Sequence, residues 1–336
     1  MLPHPILEVI MNHKKIAELA YVSPSTVSKA LSGSSEISKE LADRIYRIAI
    51  DCGYFEEKKK RRRKYTNNES MLVAVLVPEL LGIHYSETVT RLKNELEAKG
   101  AGVAIYVYDF DQAKMNDILR KIVLLGTTDG VIIFDTPELS IEPNIPIVCI
   151  KNAIKSKYDS IGNDIDAVIS DCVDYLKACG HREIGFVGEP YTLYKYHAFE
   201  KALAENELVF NEDFAHIVNT RLEAVGVEAA KRILAAKEKP TAIIAAYDVI
   251  ALSLIHELTQ GGVSVPEDIS VMGINNISAA AYAQVPLTTV DLFSEEQYRS
   301  AVQILFDKII DESDAVKHIT VEHKIVERAS VKNLRR

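Results

Sequence analysis

Cysteine is scarce in this sequence, and no pair of cysteines has the spacing of a metal site. The chain of 336 residues has four cysteines, Cys52, Cys149, Cys172 and Cys179. None forms a CxxC pair and none is spaced with histidine as in a zinc site, so we expect no metal and no cofactor. Unpaired cysteines are typical of a reducing cytoplasm, where disulfides are rare.

Long apolar runs are missing as well. No uninterrupted apolar segment reaches the roughly 18 residues that a membrane-spanning helix needs. The first ten residues, MLPHPILEVI, lack the basic start and the cleavage site of a secretory signal. We therefore expect a cytoplasmic protein that makes no contact with a membrane.

The motifs of common enzyme classes are also absent. No GxSxG, P-loop or GxGxxG pattern follows a candidate strand. The nine histidines are scattered, and His318 and His323 fall in a strand-like carboxyl-terminal region without ligand partners. We expect that the protein is not an enzyme.

Charge is divided unevenly along the chain. The net charge is -9, yet residues 11–65 contain 13 Lys and Arg against 7 Asp and Glu, whereas residues 66–336 contain 26 against 40. A basic amino-terminal segment on an acidic body concentrates the attraction for a polyanion in one place. This segment is therefore a candidate nucleic-acid-binding module.

The most informative segment is residues 16–32, IAELAYVSPSTVSKALS, which predicts two short helices separated by a sharp break. Ser23 is a good N-cap for the second helix, because its hydroxyl can accept a hydrogen bond from an unpaired amide at the helix start. Pro24 then takes the first helical position, where its missing N–H is tolerated. The inward-facing residues of this helix are Val27, Ala30 and Leu31.

The outward face of the second helix is small, hydroxyl-bearing and cationic, and it carries no carboxylate. Such a surface fits the major groove of DNA, where it can contact phosphates and base edges. An ordinary helical hairpin is the alternative interpretation of this segment alone. The outward-facing residues are Pro24, Ser25, Ser28 and Lys29.

A third helix is predicted at about residues 39–51, with Ser38 as its N-cap. Three helices in so short a segment make a compact DNA-binding headpiece, which we place at residues 11–55. A linker follows at residues 56–70 and contains seven consecutive cations at residues 58–64. These charges repel one another, so we expect the linker to be disordered away from DNA.

The rest of the chain, residues 71–330, predicts an α/β fold. Buried apolar strands alternate with helices in two successive series, which is typical of two doubly wound α/β subdomains with a ligand cleft at the carboxyl ends of their strands. The predicted strands are residues 71–79, 103–109, 129–135, 145–150, 183–188, 214–218, 241–246 and 269–274. The predicted helices are residues 85–99, 112–125, 195–206, 222–236 and 248–260.

The headpiece sequence, IAELAYVSPSTVSKALSG followed by EISKELADRIYRIAIDCGY, closely resembles that of the lactose/galactose repressor family of bacterial transcription regulators. In the body, GHREIGFVG, TAIIAAYD, GGVSVPEDISVMGINN and VPLTTVDLFSEE resemble the same family. The resemblance implies a body like that of periplasmic sugar-binding proteins, with three chain crossings between subdomains. By this resemblance, residues 71–179 and 291–315 form the first subdomain, and residues 181–290 and 316–330 form the second.

The resemblance also assigns roles in DNA binding. Positions matching Pro24, Ser25 and Lys29 reach base edges in the family, and those matching Ser23, Thr26 and Ser28 mostly hold phosphates. Tyr21 departs from the family by replacing the usual Gly in the turn, so it has to accept a left-handed conformation. The linker lacks the Leu that wedges into the minor groove in the family. We expect its cations to contact DNA instead, namely Lys58, Lys59, Lys60, Arg61, Arg62 and Arg63.

The resemblance further points to an effector pocket. Lys195 stands where the family usually has Arg, and Tyr247-Asp248 stands in place of its Asn-Asp. Asn275-Asn276 replaces an Asp pair, which removes charge but keeps an acceptor. A saccharide needs polar partners for its hydroxyls and an aromatic face for its C–H side. The predicted effector-binding residues are Tyr85, Asn163, Asp164, Lys195, Tyr247 and Asn275.

The sequence as a whole therefore predicts a homodimeric, sequence-specific transcription regulator, because family operators are near-palindromes read by two-fold dimers. We expect a repressor of operator DNA that a small saccharide releases, with β-galactoside or galactose metabolism as the favoured context. A regulator answering to a purine or a protein corepressor would share nearly all these features. A free sugar-binding protein is a further alternative, against which the basic headpiece argues.

Overall fold

A computed structural model describes the headpiece and most of the body of the chain. The described residues are 13–31, 34, 36–55, 71–126, 128–138, 145–150, 156–292, 295–311 and 315–335. The predicted DNA contacts in the linker lie outside them, namely Lys58, Lys59, Lys60, Arg61, Arg62 and Arg63.

Three helices in the described part of the headpiece surround a small apolar core. They are α1 (His13–Ala20), α2 (Pro24–Leu31) and α3 (Lys39–Asp51). Ile16, Val27 and Ile45 are fully buried between them. The Ser23 hydroxyl accepts a hydrogen bond from the backbone N–H of Thr26 at 3.1 Å, and that of Ser38 accepts one from Leu41 at 3.3 Å. Both predicted N-caps are thus confirmed.

The described residues of the body form two six-stranded sheets covered by helices. Its strands are β1 (Leu72–Val77), β2 (Gly102–Val107), β3 (Gly130–Ile133), β4 (Ile147–Ile150), β5 (Asp159–Gly162), β6 (Ile184–Gly188), β7 (Ala215–Ile217), β8 (Ala242–Ala245), β9 (Ser270–Ile274), β10 (Thr288–Asp291), β11 (His318–Thr320) and β12 (Lys324–Val326). Its helices are α4 (Ile83–Ala98), α5 (Gln112–Leu125), α6 (Ile165–Ala178), α7 (Leu193–Glu205), α8 (Glu223–Ala235), α9 (Asp248–Gln260), α10 (Ser278–Tyr282) and α11 (Glu295–Asp311). Every predicted helix and strand is confirmed, with small differences at the ends.

The strand orders show two doubly wound units. The first sheet runs β11-β5-β4-β3-β1-β2 and the second runs β12-β10-β9-β8-β6-β7. All described pairs are parallel except β10 with β12. The inner parallel strands are buried on both faces, which explains their continuous apolar runs. We call the unit built on the first sheet the first lobe, and the other the second lobe.

Two of the predicted subdomain boundaries are wrong. Helix α6, assigned to the first subdomain, packs in the core of the second lobe and lies against α7. Strand β11, assigned to the second, pairs with β5 in the first sheet. An amphipathic helix between two sheets can cover either one, and a strand of three residues has too short a pattern to choose its sheet.

The headpiece packs against the first lobe through α5. The Arg120 side chain donates a hydrogen bond to the Asp43 carboxylate of α3 at 2.8 Å. Val123, one turn further along α5, belongs to the apolar cluster of the headpiece together with Phe55. This contact leaves the outward face of α2 exposed.

The turn between α1 and α2 has the conformation that the sequence predicted. Tyr21 has a φ of 51° and its side chain is 93% exposed. A left-handed residue with a Cβ costs about 1–2 kcal/mol, whereas glycine loses roughly 0.5–1 kcal/mol in chain entropy. We expect Tyr21→Gly to stabilise the headpiece by about 0.5–1 kcal/mol, measured by thermal unfolding followed by circular dichroism.

Tyr21→Ala is the matched control for this prediction. It removes the same ring but keeps the Cβ, so it should give no stabilisation. Equal stabilisation by Ala and Gly would show that the ring, rather than the backbone conformation, causes the strain.

Candidate functional site

The carboxyl ends of the strands in the two lobes face a common cavity. Its volume is about 540 Å³, which is the size of a small-molecule site. The loops after β1, β2 and β3 form its first-lobe side, and the start of α7 and the loops after β8 and β9 form its second-lobe side. This is where a doubly wound sheet positions a ligand.

Aromatic side chains dominate the cavity wall. Their faces can pack against the C–H side of a sugar ring or against another flat ligand. They come from both lobes, so a bound molecule would touch both at once. The aromatic lining residues are Tyr85, Tyr108, Phe110, Phe134, Tyr191, Tyr194 and Tyr247.

The polar lining groups are mostly uncharged. Asn163, Asn275 and Gln297 supply amides, and His84 supplies an imidazole. Burial and the nearby charge of Lys195 hold the pKa of His84 far below its usual value, so its ring is neutral at neutral pH. Neutral donors and acceptors suit hydroxyl groups, which both donate and accept.

Gln297 is a buried polar side chain of the cavity wall. It lies at the start of α11, lines the cavity and is only 1% exposed. Neither its amide nitrogen nor its amide oxygen has a hydrogen-bond partner among the described residues. A buried amide left unpaired costs free energy, so this group favours a ligand that can both donate and accept.

Lys195 is the buried cation of the site. It is 2% exposed, and its Nζ donates to the carbonyl of Ala246 at 2.8 Å and lies 4.4 Å from the centroid of the Tyr247 ring. Burial lowers the pKa of Lys195 to about 7, although the nearby carboxylate of Asp248 raises it. The amine of Lys195 is therefore only partly protonated at neutral pH.

Asp248, next to the predicted Tyr247, has a structural role. It is fully buried and accepts hydrogen bonds from the Ile277 backbone N–H at 2.8 Å and the Thr289 hydroxyl at 2.5 Å. Burial raises its pKa to about 6, and those two hydrogen bonds oppose the rise. The carboxylate ties α9 to the loop after β9 and to β10.

Five of the six predicted effector-binding residues line the cavity. They are Tyr85, Asn163, Lys195, Tyr247 and Asn275, and their contact with an effector stays a prediction. Asp164 does not line it, because its carboxylate caps α6 by accepting from the Ala167 backbone N–H at 3.3 Å. The sequence analysis missed His84, Asp135 and Gln297, and also five of the aromatic lining residues. Four of these five lie in or shortly after a predicted strand and could have been found there. The five are Tyr108, Phe110, Phe134, Tyr191 and Tyr194.

The predicted DNA-binding residues of the headpiece form one exposed patch. Ser23, Pro24, Ser25, Ser28 and Lys29 are exposed, and Thr26 is half-buried. The Lys29 ammonium pairs with the Glu36 carboxylate. A carboxylate therefore lies beside the outward face of α2, although α2 itself contains no acidic residue.

The headpiece and a large part of the body are similar in sequence to known domains. Residues 13–56 match the bacterial regulatory proteins of the lacI family. Residues 173–331 match the periplasmic binding protein-like domain. The first match covers the headpiece, and the second covers most of the second lobe and also α11 and β11 of the first.

Whole proteins match over nearly the full chain. The HTH-type transcriptional repressor CytR of Escherichia coli (strain K12) is 26% identical over 314 residues, covering 90% of this chain and 91% of that protein. The lac repressor dimer bound to operator and the anti-inducer ONPF has a TM-score of 0.71 at 21% identity, covering 96% of this chain and 99% of that one. The CelR–cellobiose complex has a TM-score of 0.66 at 20% identity, with coverage of 95% and 99%.

The described helices include none that is both long and apolar enough to cross a membrane.

The burial of Lys195 makes stability depend on pH. Its folded pKa is about 7, below the usual value of about 10.4, so the unfolded chain binds more protons between these values. Wild-type stability should therefore rise with pH relative to Lys195→Met, by up to about 1.4 kcal/mol per pH unit between pH 7.5 and 9.5. Thermal and denaturant unfolding of both proteins over this range measures the difference.

The exposed Lys231 on α8 provides the control, and Lys231→Met should track the wild type at every pH. A difference between wild type and Lys195→Met that stays constant with pH would mean that Lys195 does not lose its proton in the folded protein.

Proposed function

We propose that a saccharide controls DNA binding by this protein, which belongs to the lacI family of bacterial regulatory proteins and is an effector-responsive, DNA-binding transcriptional regulator. In this proposal it is a cytoplasmic repressor without catalytic activity. It binds operator DNA as a homodimer and leaves it when a small saccharide fills the cavity. β-Galactoside or galactose use is the metabolic context that we favour.

The observation that carries the proposal is the composition of the cavity wall. Seven aromatic rings surround amides, a neutral imidazole, one lysine and one aspartate between the two lobes. An uncharged ring with hydroxyl groups complements both features. The CelR structure, similar in fold, is a complex with cellobiose, which supports an effector of this class.

We propose two classes of DNA contact. Lys29 and Ser25 read base edges from the exposed face of α2. Ser23, Thr26, Ser28 and the linker cations at residues 58–63 bind phosphates. Phosphate contacts are insensitive to sequence but release counterions, so they govern overall affinity and its salt dependence.

The Lys29 assignment gives a specific prediction. Lys29→Ala should relax discrimination at one base position by roughly 1–3 kcal/mol, whereas neutralising residues 58–63 should weaken all DNA alike and flatten the salt dependence. Glu36→Gln frees Lys29 from its ion pair and should tighten operator binding. Fluorescence anisotropy with an operator and its single-base variants measures each effect.

The assignment would be wrong if Lys29→Ala weakened every sequence equally. Lack of any effect of Glu36→Gln would show that the ion pair does not compete with DNA.

A thermal-shift screen tests the effector class. The panel contains mono- and disaccharides, sugar phosphates and purines, and the hit is then tested for release of operator DNA. We expect an uncharged saccharide to raise the melting temperature and to release the DNA. Stabilisation by a purine alone would contradict the saccharide proposal and leave the DNA-binding regulator intact.

Replacing Gln297 tests whether the ligand in the cavity is polar. Gln297→Leu keeps the size of the side chain but removes its unpaired amide, so it should weaken the saccharide hit about tenfold or more. DNA affinity without the effector should not change. Asp164→Ala is the matched control, because it should cost about 1 kcal/mol of stability through the lost α6 cap and leave effector affinity unchanged.

A further inference from the structure

The chain connects the two lobes at one edge of their sheets, and no described segment crosses between them at the other edge. The chain crosses between them after β5, β10 and β11, and these strands lie at one end of each sheet. Strands β1, β2, β6 and β7 lie at the opposite ends. Since a cleft joined at one edge opens at the other, the loops after these four strands form the mouth of the cavity.

Arg221 bridges this mouth. It lies between β7 and α8 in the second lobe, and its Nη2 donates to Glu79, which follows β1 in the first lobe, at 2.5 Å. Its Nη1 donates to Glu189, at the end of β6 in its own lobe. Glu189 is fully buried and Glu79 is mostly buried, so solvent screens the attraction within both pairs less than it does in surface ion pairs.

An aromatic pair closes the mouth beside this ion pair. The ring of Phe110, after β2, stacks on the ring of Tyr191, after β6, with 4.3 Å between centroids and 18° between planes. The Arg221 Cζ lies 5.1 Å from the first centroid and 4.9 Å from the second. Because these two distances are nearly equal, the guanidinium lies alongside the pair and contacts both rings.

The backbone at the mouth is held in uncommon conformations on both sides. Asp109 and Phe110 in the first lobe have φ values of 55° and 57°, and Leu222 in the second has a φ of 52°. The Leu222 backbone N–H donates to Glu189 at 3.2 Å. Left-handed non-glycine residues persist where surrounding contacts hold them, and here the ion pairs and the ring stack supply those contacts.

We propose that Arg221 is a positioning residue of the effector site: by pairing with Glu79 and Glu189, it holds Phe110 and Tyr191 together as a latch that must open before a ligand enters or leaves. Two carboxylates against one guanidinium leave the mouth without excess positive charge. The latch therefore admits an uncharged ligand more readily than an anionic one, in agreement with the proposed saccharide.

Hydrogen–deuterium exchange on the full chain tests the latch without any ligand. Glu79→Gln keeps the shape of the side chain and removes only the charge that crosses the cleft. Peptides covering residues 106–111 and 188–194 should exchange about fivefold to tenfold faster in this variant than in the wild type.

Two further variants make the result specific. Ser278→Ala removes an exposed hydrogen bond to Glu87 that also joins the two lobes, 3.0 Å long, and should exchange like the wild type. Phe110→Ala breaks the ring stack but keeps both ion pairs, and it should speed exchange of residues 188–194. The proposal is overturned if Glu79→Gln exchanges like the wild type, or if Ser278→Ala accelerates both segments as much as Glu79→Gln does.

The effector proposal and the latch can fail separately. The exchange experiment contains no saccharide, so a negative result there leaves the effector assignment standing. A screen without a saccharide hit likewise leaves the latch result unchanged.

Discussion

The three chain crossings at one edge of the two sheets are the constraint on which the rest of the body depends. They come after β5, β10 and β11, and the Asn163 amide donates to the carbonyl of Val321 at 3.2 Å, which ties the first crossing to the third. With this edge fixed, the lobes can separate only at the opposite edge. The cavity and its aromatic wall lie between the two lobes, and the Arg221 bridge lies at the edge where the lobes can separate.

Helix α5 connects this opening edge to the DNA-binding end of the molecule. It begins two residues after Phe110 of the mouth, and near its other end Arg120 and Val123 contact the headpiece. A helix of 14 residues is about 21 Å long and behaves as one stiff element. The mouth of the cavity and the headpiece therefore both contact the same rigid body.

The parts of the fold that are local in sequence could be predicted from it. Ser23 and Ser38 cap their helices because a hydroxyl at that position reaches its own helix start whatever surrounds it. The left-handed conformation of Tyr21 is confirmed, and it could be predicted because Tyr21 stands where the resembling family usually has Gly. The buried parallel strands could be recognised from their apolar runs. Helix α6 and strand β11 were assigned to the wrong lobes because their patterns fit either sheet.

The sequence by itself determined the headpiece, the alternation of strands and helices, and five cavity-lining residues that family resemblance could place one position at a time. The tertiary structure alone decided what depends on distant segments coming together. It left the Gln297 amide without a partner among the described residues and joined Glu79, Glu189 and Arg221 across the cleft. The physical reason is that desolvation and pairing depend on neighbours in space, and these residues are far apart along the chain.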